Sequence, residues 1–98
     1  MTAEHLDLDD RISTLADSFP TLRFAPGVRL WDSGTLDEWA NGPDPGDGAR
    51  HAARFVLAVW DNGTQWQSGR FDVVEALAVW DHEHKRAFRA WADEPWWA

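Results

Sequence analysis

The chain has no cysteine and no tyrosine, and its 98 residues include one methionine and one lysine. Without cysteine there is no disulfide, no thiol nucleophile and no thiolate zinc site. No apolar run approaches the ~20 residues that cross a bilayer. The opening MTAEHLDLDD is acidic, where a secretory signal is basic and then apolar. These absences predict a cytoplasmic chain with no membrane segment. Positive charge is also scarce: Lys and Arg number 9 against 17 Asp and Glu, for a net charge of −8, of which −4 falls in the first 20 residues. Such a balance excludes direct binding to a phosphate backbone, which requires cations to displace counterions. It suits a basic protein partner, or simply keeps the molecule soluble.

Several signatures of chemistry are missing too. There is no G-x-S-x-G elbow, no H-E-x-x-H pair and no glycine-rich phosphate loop between a strand and a helix. Residues 41–48, NGPDPGDG, are rich in turn formers but do not meet the calcium-loop template, and they read as a linker. No cofactor is expected, and no small-molecule ligand can be named.

Against these absences stand eight tryptophans in a chain that is 44% hydrophobic. Each indole can bury about 150–250 Å², so a few of them could supply much of the stabilisation of a small core. A chain of this length makes one domain, here residues 1–98, with 1–8 expected as a flexible lead-in.

The periodicity predicts an all-α fold, a small bundle of four to five short helices. A first helix, capped by Asp7 or Asp9, carries Ile12, Leu15, Ala16 and Phe19 at i, i+3, i+4 and i+7 and stops at Pro20. Residues 22–30 change period. Leu22, Phe24, Val28 and Leu30 alternate with Arg23 and Arg29, and Ala25-Pro26-Gly27-Val28 fits a type II turn. A minor extended arm or hairpin is expected at 22–30. Thr35-Leu36-Asp37-Glu38 reads as a capping box opening a helix of one or two turns, closed by Asn41-Gly42.

Asp47 is expected to cap a third helix whose apolar positions (Ala52, Phe55, Val56, Val59 and Trp60, with Leu57 and Ala58 beside them) leave little polar surface. A helix apolar on nearly every side belongs at the centre. The rival for 54–60 is a strand turning at Asp61-Asn62-Gly63; length and period favour helix. A fourth helix, capped by Ser68 or Asp72, has Phe71, Val74, Leu77 and Ala78 as its predicted inward stripe. Continued straight on, it would rotate the next apolar set (His84, Ala87, Phe88 and Trp91) away from that stripe. We therefore place a break and a new cap at Asp81. The third to fifth helices should form the core, with the first laid across them. Pro95 ends the last helix before Trp96 and Trp97. The pentapeptide Leu57-Ala58-Val59-Trp60-Asp61 recurs as Leu77-Ala78-Val79-Trp80-Asp81, which we read as two helices ending alike.

Two clusters are candidate sites. Asp81, His82 and His84 are metal-ligating types, but i and i+2 diverge by about 200° on a helix, so only Asp81 and His84 share a face. Lys85, Arg86 and Arg89 form the one basic island, expected to be a solvated face. Trp60, Trp80 and Trp91 sit on apolar stripes and are expected in the core. Trp31, Trp39, Trp66, Trp96 and Trp97 sit near turns or ends, the setting in which an indole caps the edge of a small core, contacts a protein partner or stacks on a sugar. The expectation is a non-enzymatic domain that binds one protein partner or self-associates. The alternatives are an acidic inhibitor or nucleic-acid mimic that blocks a basic groove, and a metal-dependent hydrolase around Asp81 and His84.

Overall fold

The computed structural model describes residues 3–98, with side chains from Leu8 onward. It contains five α-helices: α1 (Ala3–Asp17), α2 (Ser33–Asn41), α3 (Asp47–Asp61), α4 (Val73–Val79) and α5 (His82–Asp93). A single 3-10 turn covers Pro20–Leu22, and no strand occurs among the described residues. The all-α expectation holds, and the strand rival for 54–60 falls. α1 starts at Ala3, earlier than caps at Asp7 or Asp9 would allow, and takes in most of the segment read as a lead-in.

α3 is the central rod, because its apolar residues point in every direction. Ala52, Ala53, Phe55, Val56, Leu57 and Val59 are all buried, and α1, α2, α4 and the 3-10 turn pack around them. Phe55 is the hub. Its ring lies 5.7 Å from Phe19 after α1, 5.2 Å from Phe71 before α4, and 5.2 and 5.0 Å from Phe88 and Trp91 on α5. The other large side chains that are fully buried are aliphatic: Ile12, Leu22, Val28, Leu36, Val56 and Leu57. α3 begins one residue differently from expectation. Gly46 holds the cap position without a side-chain bond, and Asp47 is the first helical residue.

α2 is longer than predicted and starts earlier. Asp32, not Thr35, is its cap and accepts from the Thr35 amide at 3.1 Å. Aspartate caps as well as threonine does, and this start puts Leu36 and Ala40, one turn apart, against α3. Arg50 then holds the 42–46 linker, donating to the carbonyls of Ala40 (3.0 Å), Gly42 (2.9 Å) and Pro45 (3.2 Å). Those carbonyls include the ones the end of α2 leaves free.

The extended arm or hairpin expected at 22–30 does not form. Leu22, Ala25 and Val28 are buried, while Phe24 and Leu30 are 87% and 89% exposed. Burial therefore recurs every three residues, not every two. The cause is a chain of turns in which the Ala25 amide bonds Leu22 O (3.1 Å) and the Val28 amide bonds Ala25 O (3.4 Å). The type II turn itself is present, with Gly27 at φ +82° in the position that requires it. Ser13 of α1 donates to the Val28 carbonyl and anchors the turn.

The break between α4 and α5 lies where it was predicted. Asp72 and Asp81 cap the two helices, accepting from Glu75 and His84 amides. The face that α4 buries was not predicted. Ala76 and Trp80 point inward, while Val74 and Leu77 of the expected stripe are 74% and 41% exposed and Ala78 is exposed beside them. The orientation follows from Trp80, whose ring stacks on Phe71 at 5.9 Å and whose Nε1 donates to Gly48 O at 3.0 Å across the start of α3. Turning Val74 inward would pull the indole out of that slot.

Candidate functional site

The tryptophans divide only partly as expected. Of the three assigned to the core only Trp80 is buried; Trp60 and Trp91 are half-buried. Trp31, Trp39, Trp66 and Trp96, expected at the margins, are also half-buried and lie against the core. An indole needs both apolar cover and a partner for its N–H, which the edge of a small bundle provides. Trp66 and Trp91 donate to the carbonyls of Asp61 (3.0 Å) and Trp96 (2.9 Å), while Trp31 packs on Trp60 at 5.3 Å with its Nε1 buried and unpartnered. Trp97 keeps 61% of its surface free, its ring edge-on to Trp91 at 5.4 Å. The tail after Pro95 thus folds back on the bundle. Ala98 donates its amide to Val59 O at 3.1 Å, and the Arg11 guanidinium of α1 lies 4.3 Å over Trp96.

The metal candidates are not gathered around a common point. Asp81 and His84 do meet, as their spacing allowed, but as partners: Asp81 Oδ1 is 2.7 Å from His84 Nδ1 and also accepts the His84 amide at 2.9 Å. A carboxylate only accepts, so Nδ1 carries a proton, and Nε2 pairs with the Thr21 hydroxyl 2.7 Å away. Both nitrogens of His84 are therefore engaged, and His82 Nε2 faces Arg86 at 3.1 Å instead. Among the described residues no group of three or more His, Asp or Glu could hold a metal ion.

The order hydroxyl, imidazole, carboxylate is that of a nucleophile relay. Here, however, Asp81 is 69% exposed, so water competes for its charge, and one oxygen serves both the helix cap and the ring. The hydrogen bonds to His84 hold the Asp81 carboxyl below the usual carboxylate range. What the arrangement does is tie the start of α5 to the 3-10 turn, with His84 walled by Phe19 and Trp80. Thr21 gave no signal in the sequence, because its partner lies 63 residues away.

Phe24 and Leu30 are the most exposed large apolar residues, but the continuous run of exposed apolar side chains lies on α4. At 100° per residue, Val73, Leu77, Val74 and Ala78 form one continuous strip beside the buried Ala76 and Trp80. Their exposures are 39% (Val73), 41% (Leu77) and 74% (Val74), with Ala78 also exposed. Glu75 follows at the strip's outer edge, Asp72 stands at its start and Asp81 just past its end. It is an aliphatic ridge with acidic surroundings, carried on a helix fixed at both ends by caps. No helix of the described residues is long and apolar enough to cross a membrane, so lipid does not cover it as a span.

The fold and this ridge define a small all-α bundle with one uncovered helix. No family model, curated protein or solved structure matches the chain.

Proposed function

We propose that the chain is a non-enzymatic protein-interaction domain, acting in the cytoplasm, whose contact surface is centred on α4. The observation that carries this reading is a mismatch. The apolar stripe that periodicity would bury (Val74, Leu77 and Ala78) is the one the folded chain leaves outside. Scattered exposed aliphatics are ordinary, but a continuous stripe at helical spacing is the pattern helices use to dock. α4 is only about 10 Å long, so it forms the apolar centre of an interface whose polar rim extends beyond it. Trp97, with 61% of its surface free, is a candidate rim contact. The absence of cysteine is in keeping with a reducing compartment.

The test is photo-crosslinking in cells from a benzophenone amino acid at position 74, with the same group at exposed Ala92 as control. The expected result is one discrete protein adduct from position 74, identified by mass spectrometry and removed by Leu77→Asp. Indistinguishable adducts from the two positions would end the reading. So would a loss of more than about 2 kcal/mol in urea unfolding for Val74→Ser with Leu77→Ser, because surface changes cost within about 0.5 kcal/mol each.

A further inference from the structure

A groove runs between α1 and α5, and its two walls have the same pattern. On α1 and the turn that ends it, Arg11, Thr14, Leu15 and Ser18 stand at i, i+3, i+4 and i+7; on α5, Glu83, Arg86, Ala87 and Ala90 do the same. Both helices point their buried sides at α3, and these edges face each other across the gap. The helices are antiparallel, since Arg11 near the middle of α1 meets Trp96 after α5, while Thr21 after α1 meets His84 near the start of α5. One half of the groove, about 630 Å³, is walled by Leu15, Ala87, Trp91 and Trp96. The other, about 460 Å³, shares Ser18, Ala87 and Ala90 with it and adds Arg23, Arg86 and His82.

The two halves together are apolar at the floor and carry one more cation than anion, the excess lying in the half lined by Arg23 and Arg86. Arg11, Arg23 and Arg86 outnumber Asp10 and Glu83 there, in a chain whose net charge is −8. The small side chains of Thr14, Ser18 and Ala90 let a helix approach closely. The α4 ridge complements it: convex, apolar like the groove floor, and flanked by the acids Asp72, Glu75 and Asp81.

Resting on the interaction reading above, we infer that the occupant of the groove is α4 of a second copy of this chain. Val74 and Leu77 seat between Leu15 and Ala90, and the acids beside α4 meet the groove arginines. Helix-in-groove contact also answers the size problem. Two short helices side by side cover far less than the ~800 Å² per partner of a stable interface, whereas a groove covers the ridge on both flanks. Such a contact uses different surfaces on the two copies, so it is head-to-tail and builds chains or a closed ring, not a two-fold dimer.

Sedimentation velocity on the intact chain from micromolar to millimolar concentration, with two complementary variants, tests this. Val74→Asp with Leu77→Asp removes the ridge and leaves the groove. Ala90→Trp, or Thr14→Trp at the facing wall, fills the groove and leaves the ridge. Circular dichroism confirms that each is folded. The wild type should gain mass with concentration, and each variant alone should raise the dissociation constant at least tenfold. Mixed one to one, the ridge variant and the groove variant should form a heterodimer and nothing larger, since each supplies the half the other lacks. A wild type that stays monomeric throughout overturns the inference, while a crosslink from position 74 to a different protein would still uphold the interaction reading. Self-association abolished by the ridge variant but untouched by both groove variants also overturns it, and assigns a ridge-to-ridge contact.

Discussion

A carboxylate buried inside a protein of net charge −8 needs a reason, and Asp37 has one. It is 6% exposed, and its two oxygens accept from the Gln67 amide (3.0 Å), the Ser68 amide (2.9 Å) and the Ser68 hydroxyl (2.7 Å). Arg54 completes the fastening by donating to Ser68 O. The 66–69 segment is thus held from α2 and α3 at once. In the sequence Asp37 is an inner position of the Thr35–Glu38 capping-box pattern, with no role of its own. Its partners lie 30 residues away, which no local pattern reveals. Asp37→Ala leaves three donors without an acceptor and should cost about 3 kcal/mol in urea unfolding. Glu38→Ala on the exposed neighbour should cost less than about 0.5 kcal/mol; a capping box would demand the reverse.

His51 of α3 is the second buried polar residue with a consequence. Burial, and then the Arg54 charge, push its imidazole below the usual histidine range, against smaller upward pulls from Glu75, Asp47 and Asp72. Its Nδ1 is buried without a partner. The folded state therefore favours neutral His51, and the unfolded chain binds the extra proton. Stability is then complete above about pH 6.5, the ordinary histidine value, and falls with pH toward the lowered folded value. Asp81, also lowered, acts in the same direction further down: its contribution is present above the usual carboxylate range and is lost as pH falls through its folded pKa. Melting curves across pH 7 to 5 should slope downward for the wild type and flatten for His51→Leu, whose slope in that window is removed.

Single elements were legible wherever one apolar stripe stood out against a polar remainder. α1 and α5 are of this kind, and α3 was legible for the opposite reason, having almost no polar side. α4 was legible as a helix but not in its orientation. Val73, Val74, Leu77 and Val79 are all apolar, so period alone could not choose which side faces inward. The choice came from the slot between Gly48 and Phe71 that takes Trp80. The functional candidate followed the same division: the sequence pointed to loose tryptophans, and the uncovered surface is the aliphatic stripe it had assigned to the core. At 22–30 the failure was one of period, because alternation was compatible with the residues while turn bonding every third residue was what the core accepted. Gly27 is the hinge of that segment. A Cβ there would lie 2.5 Å from Asp32 O and 2.8 Å from the Leu36 amide nitrogen, at a φ that side chains avoid. Gly27→Ala should therefore cost at least about 2 kcal/mol, and because Val28 and the start of α2 move with it, amide exchange should speed up at Asp32 and Leu36 first.

At the scale of the whole molecule the bundle is closed by its own end. A radius of gyration of 12.5 Å is that of a compact chain of this size, about 13 Å for 100 residues. Yet α1 and α5 do not close on each other; the groove keeps them apart, and Trp96 bridges one end of it. The Trp96 ring takes the Arg11 guanidinium of α1 on one face, its carbonyl accepts Trp91 Nε1 of α5, and two residues on the Ala98 amide reaches Val59 of α3. Residues 96–98 thus couple three helices that are far apart in sequence, and Trp96 makes two of the three links. A fully buried tryptophan replaced by alanine costs about 3–5 kcal/mol. Trp96 is half-buried, so Trp96→Ala should cost about 2 kcal/mol, which for a domain of this size lowers Tm by roughly 10 °C. Trp97→Ala, next door but 61% exposed, should shift Tm by less than half as much. If the two substitutions prove equal in calorimetry, the tail closes nothing, and the aromatic end of the α1–α5 groove loses its wall.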